Sequence, residues 1–266
     1  MPGADSRELR CSSIATRRCC NQETLAAGRG VGASKSCSAS WSDSCKALRL
    51  LRMPTYISCD NLQFHERAHR DCYATCFRVL EAAPRGRLLD LAAGAGYTSH
   101  VLRKMGFDVV ATEINTQQFI AEGVGVEAVD LNRGLPYPDA AFPTVVALEI
   151  IEHLEAPARF VREVARVLAP GGVALISTPN ITSVASKLRF LAKSEFNLFY
   201  DVAHRLNDPF HERAAGHISP LPLWLLRHFI EKAGLTIVNT HYTREVMGLK
   251  GNWISTNLLI EVRHRT

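Results

Sequence analysis

The segment Asp90-Leu91-Ala92-Ala93-Gly94-Ala95-Gly96 follows an apolar run at Arg87–Leu91 and precedes a helical pattern, so it lies where a strand turns into a helix. Gly94 and Gly96 let the backbone turn sharply and come close to a ligand. The helix start beyond them offers free amides and the positive end of a dipole. Such a turn also serves as a plain strand-to-helix joint, so the acids around it decide its meaning. Glu113 stands nineteen residues past Gly94 at the end of the next apolar run, where a carboxylate can accept from two ribose hydroxyls. Asp130 closes a third run and can accept from an exocyclic adenine amine, with the ring stacked on Leu131; its other role is that of a solvated turn acid. Together these residues describe a nucleoside pocket.

A second group follows the fourth apolar run: Glu149, Glu152 and His153, an E-x-x-E-H pattern. His153 is the residue best placed to act as general base toward a hydroxyl. It can equally bond the nearby loop. With a later histidine such as His217, the cluster offers oxygen and nitrogen ligands to one divalent ion, while Glu149 can instead hold loop backbone. The assignment taken is His153 as catalytic base and no metal.

The elements that position these residues alternate. Apolar runs at Arg87–Leu91, Val109–Thr112, Val126–Val129, Val145–Leu148 and Val173–Ser177 read as strands, and the acids fall at the ends of the second, third and fourth. Helical spacing runs over Ala156–Leu168, through Phe160, Val161, Val164, Val167 and Leu168, and again over Leu225–Ala233. The apolar residues between Cys59 and Leu80 fit a helix closed by Pro84 and Gly86. Two last runs, Thr236–Tyr242 and Ile254–Val262, have no helix between them and are expected to pair as an antiparallel hairpin at the sheet edge. The fold class is therefore α/β, Rossmann-like and doubly wound, with a mostly parallel seven-stranded sheet and a C-terminal antiparallel hairpin. Residues 181–219 break the alternation and gather Phe190, Phe196, Phe199, Tyr200, Phe210, His204, His211 and His217. They read as an inserted lid or acceptor pocket, or as a small helical subdomain with its own core.

Several of these segments, in this order, resemble the class I S-adenosylmethionine-dependent methyltransferases, over about Arg87–Val262. LLDLAAGAG resembles the family's first motif, VVATEIN its second-strand acid and VDLN its adenine-contacting turn. ALEIIEHLEAP and VLAPGGVALISTPN resemble the segments around strands four and five, and HISPLPLWLLRHFIEKAGL the later helix. The resemblance implies S-adenosylmethionine as cofactor, held by Asp90, Ala92, Gly94, Gly96, Glu113, Asp130, Leu131 and Glu149. It implies that Asp90 orders the glycine loop or faces the methionine amino group, and that Ala92, where the family often has glycine, stands near the methionyl moiety. Pro143-Thr144 replaces a common acid before the fourth strand. No single catalytic residue carries over, because an activated sulfonium needs chiefly an in-line nucleophile about 3 to 3.5 Å away. Some family members, among them small-RNA 2′-O-methyltransferases and quinone-precursor O-methyltransferases, hold a metal at a cluster like Glu149, Glu152 and His153.

Charge narrows the substrate. Of the 31 Lys+Arg and 26 Asp+Glu, nine and four fall in residues 1–52, which leaves 22 of each in residues 53–266. A body of zero net charge disfavours duplex nucleic acid, so no DNA partner is expected. The expected acceptor is a small, lipid-linked or sugar-linked molecule methylated at oxygen. An RNA 2′-O-methyltransferase, with Lys187, Arg189 and Lys193 near the substrate, and a non-catalytic nucleoside-cofactor-binding protein are the alternatives. A nicotinamide oxidoreductase fits less well, because Gly94-Ala95-Gly96 is followed by Tyr97, Thr98 and Ser99 with no third glycine. The first 52 residues hold five of the eight cysteines and nine serines with almost no apolar periodicity, the composition of a disordered or targeting segment. A start at Met53 and a reducing, cytoplasmic setting are the expectations.

Overall fold

The computed structural model describes residues 56–60, 62–65, 68, 70–199, 216–244 and 248–265. The expectations for residues 1–52, and those for Tyr200, His204, Phe210 and His211, lie outside them. Two compact units divide the chain: residues 1–54 with 58–62, and residues 55–57 with 63–266. Strands β1 (Tyr56–Cys59) and β2 (Leu62–His65) form a two-stranded sheet. Helix α1 therefore begins only at Arg70 and runs to Glu81, so the helix expected from Cys59 is corrected over its first half. The physical reason lies at Asp60, whose left-handed backbone, φ 50°, turns the chain back on itself.

The second unit is built on β3 (Arg87–Leu91), β4 (Asp108–Glu113), β5 (Gly125–Ala128), β6 (Phe142–Ala147), β7 (Leu168–Pro179), β8 (Leu235–Thr243) and β9 (Asn257–His264). Their order across the sheet is β5-β4-β3-β6-β7-β9-β8. The first five run parallel, and β9 is antiparallel to both its neighbours. The terminal pair is thus antiparallel, as expected, but only β8 forms the edge. Leu258, Leu259, Ile260 and Val262 are all buried, which requires β9 to be covered on both faces inside the sheet.

Alternation along each strand sorts the core into two layers. Leu89, Val145, Ala174 and Ile176 face one side, with Phe160, Val161 and Val164 of α3 (Pro157–Val167) and Leu226 and Ile230 of α5 (Leu223–Lys232). Leu88, Val146, Val173 and Leu175 face the other, with Cys72, Cys76 and Leu80 of α1 and Leu102 of α2 (Tyr97–Lys104). Between β7 and α5 a further helix, α4 (Val184–Lys193), opens the inserted segment. The strand order reverses between β3 and β6, and at such a point the loops leaving the two carboxyl ends part to form a crevice.

One glycine is fixed by space as well as by backbone. At Gly96 φ is 92°, and a Cβ there would lie 2.7 Å from both the Ala121 Cβ and the Phe119 ring. Gly96→Ala is expected to cost about 2 to 4 kcal/mol, combining a left-handed penalty with overpacking. Scanning calorimetry checks it, and a melting temperature equal to the wild type's would show that the 119–121 turn yields freely.

Candidate active site

Three loops meet along the carboxyl edge of the sheet: residues 92–96 after β3, 114–120 after β4, and 148–156 after β6. Ala92, Gly94 and Gly96 all take positive φ, 53°, 59° and 92°, and this curls the first loop tightly. Asp90, fully buried at the end of β3, accepts a hydrogen bond from the Ser99 hydroxyl at 2.6 Å. Since Ser99 lies in the first turn of α2, this bond fixes the helix start to the strand. The bond joins Asp90 to the helix that follows the glycine loop. Burial pushes its carboxyl from 3.8 up to about 7, against the lowering effect of the Ser99 bond; the nearby Glu113 carboxylate raises it further.

Glu113 is held close to the same loop. Its Oε2 accepts from the Gly94 N–H at 2.8 Å and its Oε1 from the Asn115 N–H at 3.2 Å. Each oxygen keeps further lone-pair capacity, so the expected role toward ribose hydroxyls is compatible with this second one. The spacing of nineteen residues, read as a distance suited to a ligand, is also the distance over which the acid braces the glycine turn.

Asp130 has the geometry of a turn acid: its Oδ1 accepts from the Asn132 N–H at 3.0 Å and its Oδ2 lies 3.2 Å from the exposed Arg133 Nε. Leu131 beside it is buried. Asn132, which the sequence reading passed over, accepts from the Glu155 N–H at 2.9 Å and so joins the loops after β5 and β6. An N-x-E separation of 23 residues carries no local signal.

Glu149 is bonded to the ends of neighbouring strands. Its backbone is left-handed, φ 51°. Its N–H donates to the Ser177 Oγ at 2.8 Å, the Ser177 hydroxyl donates to Oε1 at 2.7 Å, and the Asn257 amide donates to Oε2 at 2.6 Å. The acid thus clamps the ends of β6, β7 and β9 through two side chains, where the sequence reading had it holding loop backbone. Burial pushes its carboxyl up to about 7, opposed by the bonds from Ser177 and Asn257.

Glu152, His153 and His217 come together instead. One ligand atom from each lies within 4.8 Å of the other two. The carbonyl of Glu152 accepts from the N–H groups of Ile218 and Ser219, both at 2.9 Å, and this draws the later segment against the 3-10 turn Ile151–His153. The His153 and His217 rings meet edge to face with centroids 4.6 Å apart, and Phe199 lies 5.1 Å from His217. Glu152 is fully buried; among the described residues neither carboxylate oxygen meets a donor in good hydrogen-bond geometry, and the Thr178 hydroxyl beside it favours the charged form. Burial holds its carboxyl well above the usual carboxylate range, and the nearby Glu149 raises it further. A carboxyl in that position is stable as the neutral acid or as a ligand to a cation.

Residues 64–240 match a family model described as a methyltransferase domain. The chain belongs to the class I S-adenosylmethionine-dependent methyltransferase family. It is similar to a probable S-adenosylmethionine-dependent methyltransferase of Mycolicibacterium smegmatis, 36% identical over 35% of this chain and 38% of that one. A ubiquinone biosynthesis O-methyltransferase of Psychrobacter cryohalolentis is 27% identical over 65% of this chain and 67% of its own length. Relatives named for oxygen and for nitrogen methylation both occur among the matches. The chain spans well under two thirds of the length of most of these curated relatives. In fold it is similar to a methyltransferase from Archaeoglobus fulgidus, with a TM-score of 0.54 at 17% identity over 71% of this chain and 91% of that one. The family's cofactor is S-adenosylmethionine, and the strand order, the glycine loop and the acid ending β4 all agree with it.

Two outcomes test this site. Glu113→Ala is expected to weaken S-adenosylmethionine binding by about 1.5 to 3 kcal/mol, the range for hydrogen bonds to a charged group; titration calorimetry reads it, and unchanged affinity in a folded variant removes Glu113 from the pocket. For Asp90 the folded pKa lies above the ordinary one, so the folded state binds the extra proton between them. The stability this contributes is complete below about pH 4 and is lost as pH rises toward about 7. Relative to Asp90→Asn, the wild type is therefore expected to lose up to about 4 kcal/mol of unfolding free energy across that window, as denaturant titrations at stepped pH would show.

Proposed function

We infer that this protein transfers the methyl group of S-adenosylmethionine to oxygen on a small-molecule, lipid-linked or sugar-linked acceptor. The observation that carries the reading is the convergence of Glu152, His153 and His217 at the carboxyl end of β6, next in the sheet to the strand that ends in the glycine loop. The pairing of Leu91 with Ala147 sets the two loops side by side. A hydroxyl acceptor placed between them loses its proton to His153 as its oxygen attacks the methyl carbon. The new O–CH₃ bond forms as the S–CH₃ bond breaks, and S-adenosylhomocysteine leaves neutral at sulfur. Attack is in line, so positioning supplies most of the acceleration and the base adds roughly 10²- to 10⁴-fold. Phe199 and His217 give the acceptor side an aromatic wall.

A second reading has its own support in the buried carboxylate of Glu152. Glu152, His153 and His217 form a mixed oxygen and nitrogen donor set that fits a divalent transition metal better than magnesium. A cation held there would acidify the acceptor hydroxyl. His153 would then serve as a ligand, and the buried charge of Glu152 would be satisfied.

Chelation separates the two. With pooled quinol, catechol, glycan-linked and RNA acceptors, S-adenosylhomocysteine release is the readout. If His153 is the base, His153→Ala is expected to lower turnover by about 10²- to 10⁴-fold with cofactor affinity kept, and EDTA leaves the wild-type rate unchanged. Loss of wild-type turnover in EDTA, restored by Zn²⁺ or Mn²⁺, favours the cation. Product only with an amine or RNA acceptor would overturn the assignment to oxygen on a small molecule.

A further inference from the structure

The ends of β8 and β9 carry polar side chains that the fold itself does not use. Asn257 opens β9, where it stands directly opposite Pro179, the last residue of β7, and Thr243, the last residue of β8. Alternation along β9 puts Asn257 on the sheet face of Leu259, the side covered by α1. Its amide donates to the Glu149 Oε2 at 2.6 Å, but its Oδ1 has no hydrogen-bond partner among the described residues. The hydroxyls of Thr243 and of Thr256, the residue before Asn257, have none either. All three side chains are buried, Asn257 to 2% exposure and Thr243 to 1%. Other polar groups of the same corner are engaged. The Asn180 amide donates to the carbonyls of Asn252 and Ser255, both at 2.8 Å, and the Ser255 hydroxyl accepts from the Gly251 N–H at 3.2 Å. Native interiors leave few buried polar atoms unmatched, so three at adjoining positions mark a place shaped to meet something else.

The chemistry of these atoms selects the ligand. An anion would face the Asn257 oxygen and the Glu149 carboxyl beside it. A cation would face the Arg244 guanidinium, which is near enough to favour the charged form of Glu149. A neutral hydroxyl meets neither obstacle: it donates to Asn257 Oδ1 and accepts from the Thr243 hydroxyl. We propose that Asn257, Thr243 and Thr256 form a subsite for sugar hydroxyls of the acceptor, distinct from the hydroxyl that is methylated. Glu149 follows β6 and reaches past β7 to Asn257, so the subsite is continuous with the loop that carries His153. With neighbouring strands about 4.8 Å apart, the gap between β9 and β8 lies roughly 12 Å along the sheet edge from β6. Two hydroxyls on adjacent carbons, as in a catechol, are too close together to reach both places, whereas a chain of sugar rings spans them. The inference rests on the reading of oxygen methylation above and selects its sugar-linked form.

The test pairs melting curves with acceptor kinetics on the full chain. Thr243→Val removes the hydroxyl and nearly keeps the shape. Because no protein group bonds that hydroxyl, the variant is expected to melt at or above the wild-type temperature. A drop of more than about 4 °C, roughly one hydrogen bond in a chain of this length, would show that the hydroxyl serves the fold and overturns the proposal. With pooled oligosaccharides as the probe and S-adenosylhomocysteine release as the readout, turnover by the wild type is expected. In Thr243→Val the KM for the active glycan is expected to rise by at least about ten-fold, with kcat and S-adenosylmethionine affinity kept, and Thr243→Ser is expected to restore it. An unchanged KM overturns the subsite. So does turnover of catechol with none of any glycan, and both of these results leave oxygen methylation standing. Absence of transfer to every oxygen acceptor, catechol included, defeats that reading and the subsite with it.

Discussion

A carboxyl group at the end of a buried strand must find donors, stay protonated or meet a cation, and this requirement shapes the whole carboxyl edge of the sheet. Asp90 takes a hydroxyl from the helix that follows it, Glu113 takes two backbone N–H groups from neighbouring loops, and Glu149 takes Ser177 and Asn257 from two further strands. Each bond satisfies an acid, and those from Gly94, Ser177 and Asn257 also tie one strand end to a segment that is not its own. The crevice at the strand reversal is therefore held in shape before any ligand enters. Pre-organisation of this kind is what an in-line transfer demands of a protein, because the chemistry itself is supplied by the sulfonium.

The same requirement explains where the backbone is strained. Ala92 and Glu149 both adopt left-handed φ without being glycine. Each conformation costs on the order of 1 to 2 kcal/mol and persists only because neighbouring bonds over-determine it. At Ala92 those bonds are the N–H groups of residues 92 to 94, which reach Thr112 and Glu113 at the end of β4. At Glu149 they are the Ser177 and Asn257 contacts. These two of the seven non-glycine residues with positive φ among those described sit where a strand of the central pair, β3 or β6, gives way to a site loop.

The central strands and the glycine turn were legible in the sequence because each is a local pattern. Arg87–Leu91 and Val145–Leu148 are unbroken apolar runs, and Gly94 and Gly96 fall where a run ends. The first helix was misplaced over Cys59–His65 because its aromatic and apolar residues do not separate a helix from two short strands until the turn at Asp60 is known. The interior place of β9 was signalled by the run Leu258-Leu259-Ile260, which suits a strand covered on both faces better than an edge. What remained unreadable depends on pairs far apart in the chain: Asn257 reaches Glu149 across 108 residues and Asn132 reaches Glu155 across 23. No spacing rule carries such pairs, so the sequence could name Glu149 as important but not separate a ligand acid from a clamp.

Glu152 is the acid that breaks the pattern. Its side chain is as buried as that of Asp90, with the Thr178 hydroxyl beside it, while its backbone carbonyl is engaged twice by Ile218 and Ser219. The fold thus uses the main chain of Glu152 to bring His217 to His153 and leaves the carboxylate for something else. Glu149, three residues earlier, bonds Ser177 and Asn257 and adds negative potential beside Glu152. Two imidazoles stand beside it, with Phe199 against His217, and under the proposed reading this triad serves a proton or a cation on the acceptor side. The cofactor side, by contrast, is closed by acids that already have their donors.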